Sequence, residues 1–214
     1  MNNKVLYLTS FNEKIYKWSG IRLLSSFIKL NIEGDFLICH EETDYLDNIK
    51  SNILDNPIDN KEIIFYNLSQ DPFLLKWLDD NKNIIPKEYN GTYDKNTAPK
   101  NIVERLEGTI KVKKQCNLHQ GGYCKKASLW FRKIASFNYA LEKYGDKYNC
   151  IVWIDADCAF LKKISKKFLI ANFFHTYCFY YLGKRRIKKN LSAVEAGFLG
   201  FKGKKGFELL KIVI

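Results

Sequence analysis

No apolar run in this sequence approaches the roughly 20 residues that a helix needs to cross a bilayer. The opening, MNNKVLYLTSFNEK, holds a short alternating apolar patch and turns polar without a small-residue cleavage site, so it reads as a strand and not as a signal peptide. Both absences point to a soluble, cytoplasmic protein with no transmembrane segment. Disorder is excluded as well, because 46% of the residues are hydrophobic and 15% aromatic. Six cysteines (Cys39, Cys116, Cys124, Cys150, Cys158 and Cys178) are scattered through 214 residues, a length that builds its own core as a single domain. They read as reduced, mostly buried thiols and not as a disulfide framework. Cys116, His119 and Cys124 offer three zinc ligands, but a fourth at matching spacing is missing, which disfavours zinc.

Acids are scarce in one region only. The formal net charge is +12, and residues 158–214 hold 13 Lys and Arg against two acids, Glu195 and Glu208, while residues 1–157 are almost balanced. Such a block favours anionic partners: phosphates, nucleic acid or peripheral contact with an anionic membrane surface. For most of the individual lysines, a solvated face is explanation enough.

What is present is an alternation of strand and helix. KVLYLTSF at 4–11 reads as a first strand, DFLICHEE at 35–42 as a second and EIIFYNL at 62–68 as a third. Between the first two, Trp18, Ile21, Leu24 and Ile28 recur at helical spacing and predict one buried face of a helix ending near Asn31. A helix is expected over 43–54, and DPFLLKWLDDNK opens with Asp71 as N-cap and Pro72 at the first helical position. The alternation implies a mainly parallel sheet covered by helices. Residues 83–124, rich in Gly, Asn and Pro, break the pattern. From about Lys125 a helix follows, with Trp130, Ile134, Phe137, Leu141 and Tyr144 on one face, and then the strand CIVWID. FFHTYCFYYLG and AGFLGF read as later strands and KKGFELLKIVI as a final helix. That helix stops on apolar residues without a cap, so the chain reads as truncated at its C-terminus.

The chemistry concentrates in IVWIDADCAF, residues 151–160. Residues two apart on a strand point the same way, so Asp155 and Asp157 share a face or converge at a turn just beyond the strand. In open α/β sheets, ligands bind past the carboxyl ends of strands. Two close carboxylates repel unless a cation sits between them, and hard oxygen ligands suit Mg²⁺ or Mn²⁺, completed by water and a substrate phosphate. The bland alternative is that Asp155 caps a turn and Asp157 is merely exposed.

Two enzyme classes place Asp-x-Asp after a strand. Haloacid-dehalogenase-like phosphatases also use a small hydroxyl residue two positions after the second Asp, where Ala159 stands, and a later acidic pair, where only Glu195 and Glu208 remain. WIDADCAF instead resembles the DxD motif of GT-A-fold glycosyltransferases of the nucleotide-diphospho-sugar transferase superfamily. YLTSFNEKIYKWSGIRLLSSF is similar to their first strand and helix. WFRKIASFNYALEKYGDKYNCIVWIDAD resembles their lysine-bearing helix and metal strand, and YYLGKRR with SAVEAGFLGFKGKKGFELL the segment after it. The resemblance covers most of the chain except residues 83–124.

It implies a Rossmann-like three-layer α/β/α sandwich with a mainly parallel sheet, and a hexosyltransferase-like activity that moves a sugar from a nucleoside diphosphate donor to a hydroxyl on a glycan, protein or lipid-linked acceptor. Asp157 would bind Mn²⁺ or Mg²⁺ directly, while Asp155 would contact the donor ribose or the metal through water. Thr9, Ser10 and Asn12 would line the nucleoside pocket, though an ordinary polar turn explains them equally well. Lys133, with Lys126 seven residues earlier, would approach donor phosphate or sugar hydroxyls. Glu195, in VEAGF, is the candidate general base if the transfer inverts the anomeric centre, with pairing to Arg185 or Arg186 as the alternative. Gly197 would let the backbone approach the sugar or simply fit a strand bend. GT-A enzymes often add a histidine to the metal from a later segment, and none follows His175 here. Two other readings stand beside this one: a non-catalytic GT-A-like domain, and a basic phosphate- or nucleic-acid-binding module stacking on FFHTYCFYY. The second leaves Asp155 and Asp157 unexplained, which disfavours nucleic acid.

Overall fold

The computed structural model describes residues 4–41, 45–54, 61–81, 130–173, 179–182 and 195–214. The chain divides into two units, Ser69–Ala135 and a larger one formed by Met1–Leu68 with Ser136–Ile214.

The larger unit is built on a six-stranded sheet in the order β3-β2-β1-β4-β6-β5. Its strands are β1 (Val5–Phe11), β2 (Asp35–His40), β3 (Ile63–Asn67), β4 (Cys150–Ile154), β5 (Phe179–Leu182) and β6 (Glu195–Lys202). β1 pairs in parallel with both β2 and β4, and β2 with β3, whereas β6 runs antiparallel to β4 and β5. The α/β arrangement with a mainly parallel sheet, expected from the alternation of elements, is therefore present. Every residue of β1, β2 and β4 except Ser10 is buried, as strands covered on both faces must be.

One face carries Val5, Tyr7, Phe36, Ile38, Cys150, Val152 and Ile154, packed against Leu23, Leu24 and Phe27 of α2 (Ile21–Lys29) and Ile49 of α3 (Leu46–Leu54). Tyr7 sits at its centre, edge-on to Phe27 and Phe160 at 5.6 and 5.8 Å between ring centroids. On the opposite face, Trp153 and Phe201 meet Phe137 of the helix over residues 130–144 at 5.9 and 5.4 Å. Helices on both faces make three layers. α2 closes with a paired C-terminal turn: Asn31, at φ 48°, donates to the Ile28 carbonyl at 2.9 Å and Ile32 to that of Phe27 at 3.2 Å, while Ile32 itself is fully buried.

The helical stretch after β1 departs from the expected pattern. α1 (Glu13–Ile15) gives way to a π-helical turn, Tyr16–Gly20, before α2 begins. The inward residues are Tyr16, Ser19, Leu23, Leu24 and Phe27, and Trp18 and Ile21 face solvent, 76% and 38% exposed. A single helical face through Trp18, Ile21, Leu24 and Ile28 does not exist. Residues 166–173, of which only Phe173 belongs to the expected strand FFHTYCFYYLG, form a helix (Lys166–Phe173), opened by Ser165, whose hydroxyl accepts from Phe168 N–H at 3.1 Å. Of that expected strand, residues 179–182 form β5, and residues 174–178 and 183 lie outside the described ones. The last helix is Gly203–Val213. In the smaller unit, Asp71 caps the helix Pro72–Asp80 by accepting from Leu74 N–H at 2.6 Å, with Pro72 in the first turn as expected.

Buried polar pairs fix the strand entries. Asp35 accepts from the Tyr148 hydroxyl at 2.6 Å and from Glu62 N–H at 2.8 Å, which ties the starts of β2, β3 and β4. Cys39 and Cys150 are buried free thiols and Cys158 is a partly buried one. Cys116, His119 and Cys124 lie outside the described residues.

Candidate functional site at the carboxyl edge of the sheet

Parallel pairing sends the carboxyl ends of β1 and β4 to one edge. From the Leu8–Trp153 register, Ser10 and Asp155 each lie two residues further on. The antiparallel β6 brings its amino end to the same edge, with Phe198 opposite Ile154. Asp155 N–H then donates to the Gly197 carbonyl at 2.8 Å. Thus Ser10, Asn12, Asp155, Asp157, Glu195 and Gly197, scattered over nearly the whole sequence, are gathered along one edge.

Asp155 stands just past β4, on the face of Trp153, and the indole N–H of Trp153 donates to its carboxylate. Its own carbonyl accepts from Cys158 N–H at 3.0 Å, closing a turn that leaves Asp155 half-buried and Asp157 exposed. Ala156, between them, is buried in the core. The chain then descends onto α2, where Phe160 N–H donates to the Ser26 hydroxyl at 2.9 Å and the Phe160 ring packs against Tyr7 and Phe27. Both sides of the turn are anchored, by a strand before it and a packed aromatic after it. Sequence reasoning missed both the indole contact and the Ser26 anchor. Trp153 could have been found, since it sits two residues before Asp155 on the same strand face, but Ser26 carries no sequence signal linking it to residue 160.

The other expected residues are placed as follows. Thr9 is fully buried, and its hydroxyl has no hydrogen-bond partner among the described residues. Ser10 is partly exposed. Asn12 is buried and caps α1, accepting from Ile15 N–H at 2.9 Å. Glu195 is the first residue of β6, paired in register with Leu182. Between that pair and Tyr181–Leu199 the register shifts, so Gly197 lies in an irregular, bulged stretch of β6 of the sort that re-aims backbone beside binding sites. Lys133 stands on the helix over 130–144, in the smaller unit, and Lys126 lies outside the described residues.

Among the described residues, no three His, Cys, Asp or Glu side chains cluster as a complete metal site. Two carboxylates alone fit Mg²⁺ or Mn²⁺, which commonly take one or two carboxylates and complete their shell with water and substrate phosphate. They do not fit a closed structural zinc centre, which takes four protein ligands.

Neither a protein-family profile nor a curated protein sequence matches the chain. Solved structures do resemble it, and those named here are glycosyltransferases. The chain is similar to mouse xyloside xylosyltransferase 1 in its apo form, at 12% identity and a TM-score of 0.49, over 97% of this chain and 71% of that one. It is similar to the WbbM bifunctional glycosyltransferase, apo, at 11% identity and a TM-score of 0.48, over 100% and 35%. A third likeness is to the S. cerevisiae mannosyltransferase Ktr4p in complex with GDP, at 14% identity and a TM-score of 0.44, over 85% and 40%. The chain thus spans well under half the length of the last two. No helix among the described residues is long and apolar enough to cross a membrane.

Proposed function

We propose that the chain is a glycosyltransferase that uses a nucleoside diphosphate sugar and a divalent cation at the carboxyl edge of its sheet. The observation that carries the reading is the pair Asp155 and Asp157, set on an anchored turn past a central parallel strand and flanked by the bulged start of β6. The DxD resemblance of WIDADCAF and its neighbouring segments supports it.

Asp157, exposed, would hold Mn²⁺ or Mg²⁺ directly. Asp155, oriented by the Trp153 indole, would bind it through water or receive a ribose hydroxyl. When bound, the cation would offset charge on the departing diphosphate as a Lewis acid. Ser10 and Asn12, beside the end of β1, would border the nucleoside. Thr9, being fully buried, would shape that wall from beneath. Glu195 is the candidate base for the acceptor hydroxyl proton in an inverting transfer. The bulge around Gly197 would bring backbone close to the sugar. The acceptor would be a hydroxyl on a glycan, protein or lipid-linked sugar, and the hexosyl class is the one the resemblance suggests.

The test is release of nucleoside diphosphate from a panel of nucleoside diphosphate hexoses, with Mn²⁺, with Mg²⁺ and with EDTA. Metal-dependent release from at least one donor is expected. Donor binding without any release, acceptors included, would leave a sugar-nucleotide-binding domain instead, and neither binding nor release would remove the reading altogether.

A further inference from the structure

Eight large hydrophobic side chains stand exposed among the described residues, and four of them (Trp18, Ile21, Leu161 and Phe168) belong to a single layer. That layer covers the sheet face centred on Tyr7. It consists of the helical stretch Glu13–Lys29 and of residues 158–169, which dock on it through the Phe160–Ser26 hydrogen bond, the Phe160–Phe27 ring contact and the burial of Leu169 in the same core. The outward positions of the helical stretch are Lys14, Lys17, Trp18, Ile21, Arg22, Ser25 and Lys29, which recur at helical spacing along one side. Glu13 is the one acid in that stretch, and it pairs with Lys17 at 2.6 Å. In the neighbouring segment Leu161, 89% exposed, is followed by exposed Lys162 and Lys163, and half-exposed Phe168 is preceded by exposed Lys167, with no acid from 158 to 169. Lys61 links the two segments: its ammonium stands 5.3 Å from the centroid of the Phe27 ring of α2, and Lys163, after the larger effect of burial, helps lower its pKa below the ordinary value.

We propose that this face is a peripheral docking surface for an anionic lipid bilayer. Exposed Trp, Ile, Leu and Phe supply apolar anchors for the headgroup–acyl boundary, and the surrounding cations supply attraction to acidic headgroups. Stable binding without a spanning helix requires those two signals together. Trp18 suits the interface in particular, having a large apolar ring with a polar N–H. Nucleic acid is the less favoured occupant, because aliphatic Ile21 and Leu161 offer bases no stacking surface. The proposal uses neither Asp155 nor Asp157 and stands whether or not the chain transfers sugar.

The test is co-sedimentation of the full chain with vesicles of phosphatidylcholine containing about 30% phosphatidylserine, and with phosphatidylcholine alone, at about 0.15 M salt. The chain is expected to bind the anionic vesicles and to bind the neutral ones far less. Trp18→Ser with Leu161→Ser, and separately Lys162→Glu with Lys163→Glu, are each expected to weaken binding by about tenfold or more. All four side chains are solvent-facing, so unchanged circular dichroism and melting are expected for both double variants. Absence of binding to anionic vesicles by the wild type would overturn the proposal, as would binding that neither double variant weakens. Displacement from vesicles by single-stranded RNA, at a strength that Trp18→Ser with Leu161→Ser leaves unchanged, would reassign the face to nucleic acid.

Discussion

The backbone N–H of Asp155 donates to the carbonyl oxygen of Gly197 at 2.8 Å, joining the first carboxylate of the Asp-Ala-Asp turn to the bulged start of β6. It extends the antiparallel β4–β6 pairing by which two otherwise distant stretches of sequence meet at the same sheet edge. Asp155 follows directly on the end of β4, where the Trp153 indole N–H donates to its carboxylate.

The Trp153 ring packs on Phe137, 5.9 Å away, and its indole N–H donates to the Asp155 carboxylate. Phenylalanine keeps most of the first and loses the second. Trp153→Phe is therefore expected to weaken metal-dependent donor binding about tenfold, as the loss of a hydrogen bond orienting a metal ligand commonly does. The melting temperature should fall by only a few degrees, since the ring contact survives. Titration calorimetry and thermal melting together separate the two effects. Equal donor affinity in the variant would show that the indole does not orient Asp155.

Gly34 has φ of 123°, and a Cβ built on it would lie 2.7 Å from the Val5 carbonyl oxygen. Both the backbone conformation and the contact with rigid backbone of β1 oppose any side chain. Gly34→Ala should cost about 2 kcal/mol or more of stability, measured by urea unfolding. A loss below about 0.5 kcal/mol would mean that the loop entering β2 relaxes freely.

Alkaline pH should destabilise the fold. Tyr148 is held far above the ordinary phenol range by burial and by donating its proton to Asp35. Burial likewise raises the Cys150 thiol to about 12 and, with the Tyr144 hydroxyl, Tyr139 to about 12. These groups are protonated in the folded chain at pH values where the unfolded chain has released its protons. Their stabilisation is complete below about pH 9, the range where unfolded thiols and phenols begin to ionise, and declines as pH rises through the folded values. Tyr148→Phe should flatten that decline. At neutral pH it should cost about 1–3 kcal/mol, because Asp35 loses a buried donor. Denaturant midpoints between pH 7 and 11 check both signs.

The strands were readable because residues buried on both faces leave nearly continuous apolar runs such as VLYL, DFLIC and CIVWI, bounded by polar residues. The acid pair was readable because Asp155 and Asp157 follow such a run directly, as was the helix start at Asp71 and Pro72, where local capping chemistry suffices. The helix after β1 was legible as a helix but not in its facing. The buried stripe runs through Tyr16, Leu23, Leu24 and Phe27, and Trp18, the residue that looks most like core, is turned outward. Lys166–Phe173 was obscured by its aromatic and β-branched content and by the strand-like run FFHTYCFYYLG beside it, although Ser165 marks its start. Contacts between distant segments, such as Ser26 with Phe160 or Tyr148 with Asp35, leave no local trace in composition or spacing. Neither does the meeting of Gly197 with Asp155, which follows only from the antiparallel insertion of β6 beside β4.

The central claim is that Asp157, with Asp155, holds a divalent cation on which donor binding depends. It is tested most directly by thermal melting of the wild type and of Asp157→Ala with a panel of nucleoside diphosphate sugars, with Mn²⁺ or with EDTA. For the wild type, at least one donor at about a hundredfold over its Kd should raise the melting temperature by about 5–10 °C with Mn²⁺ present. That shift should vanish with EDTA and in Asp157→Ala, whose own melting temperature should stay close to the wild type's because the side chain is exposed. A donor-induced shift of equal size in Asp157→Ala, or in the wild type with EDTA, would contradict the account.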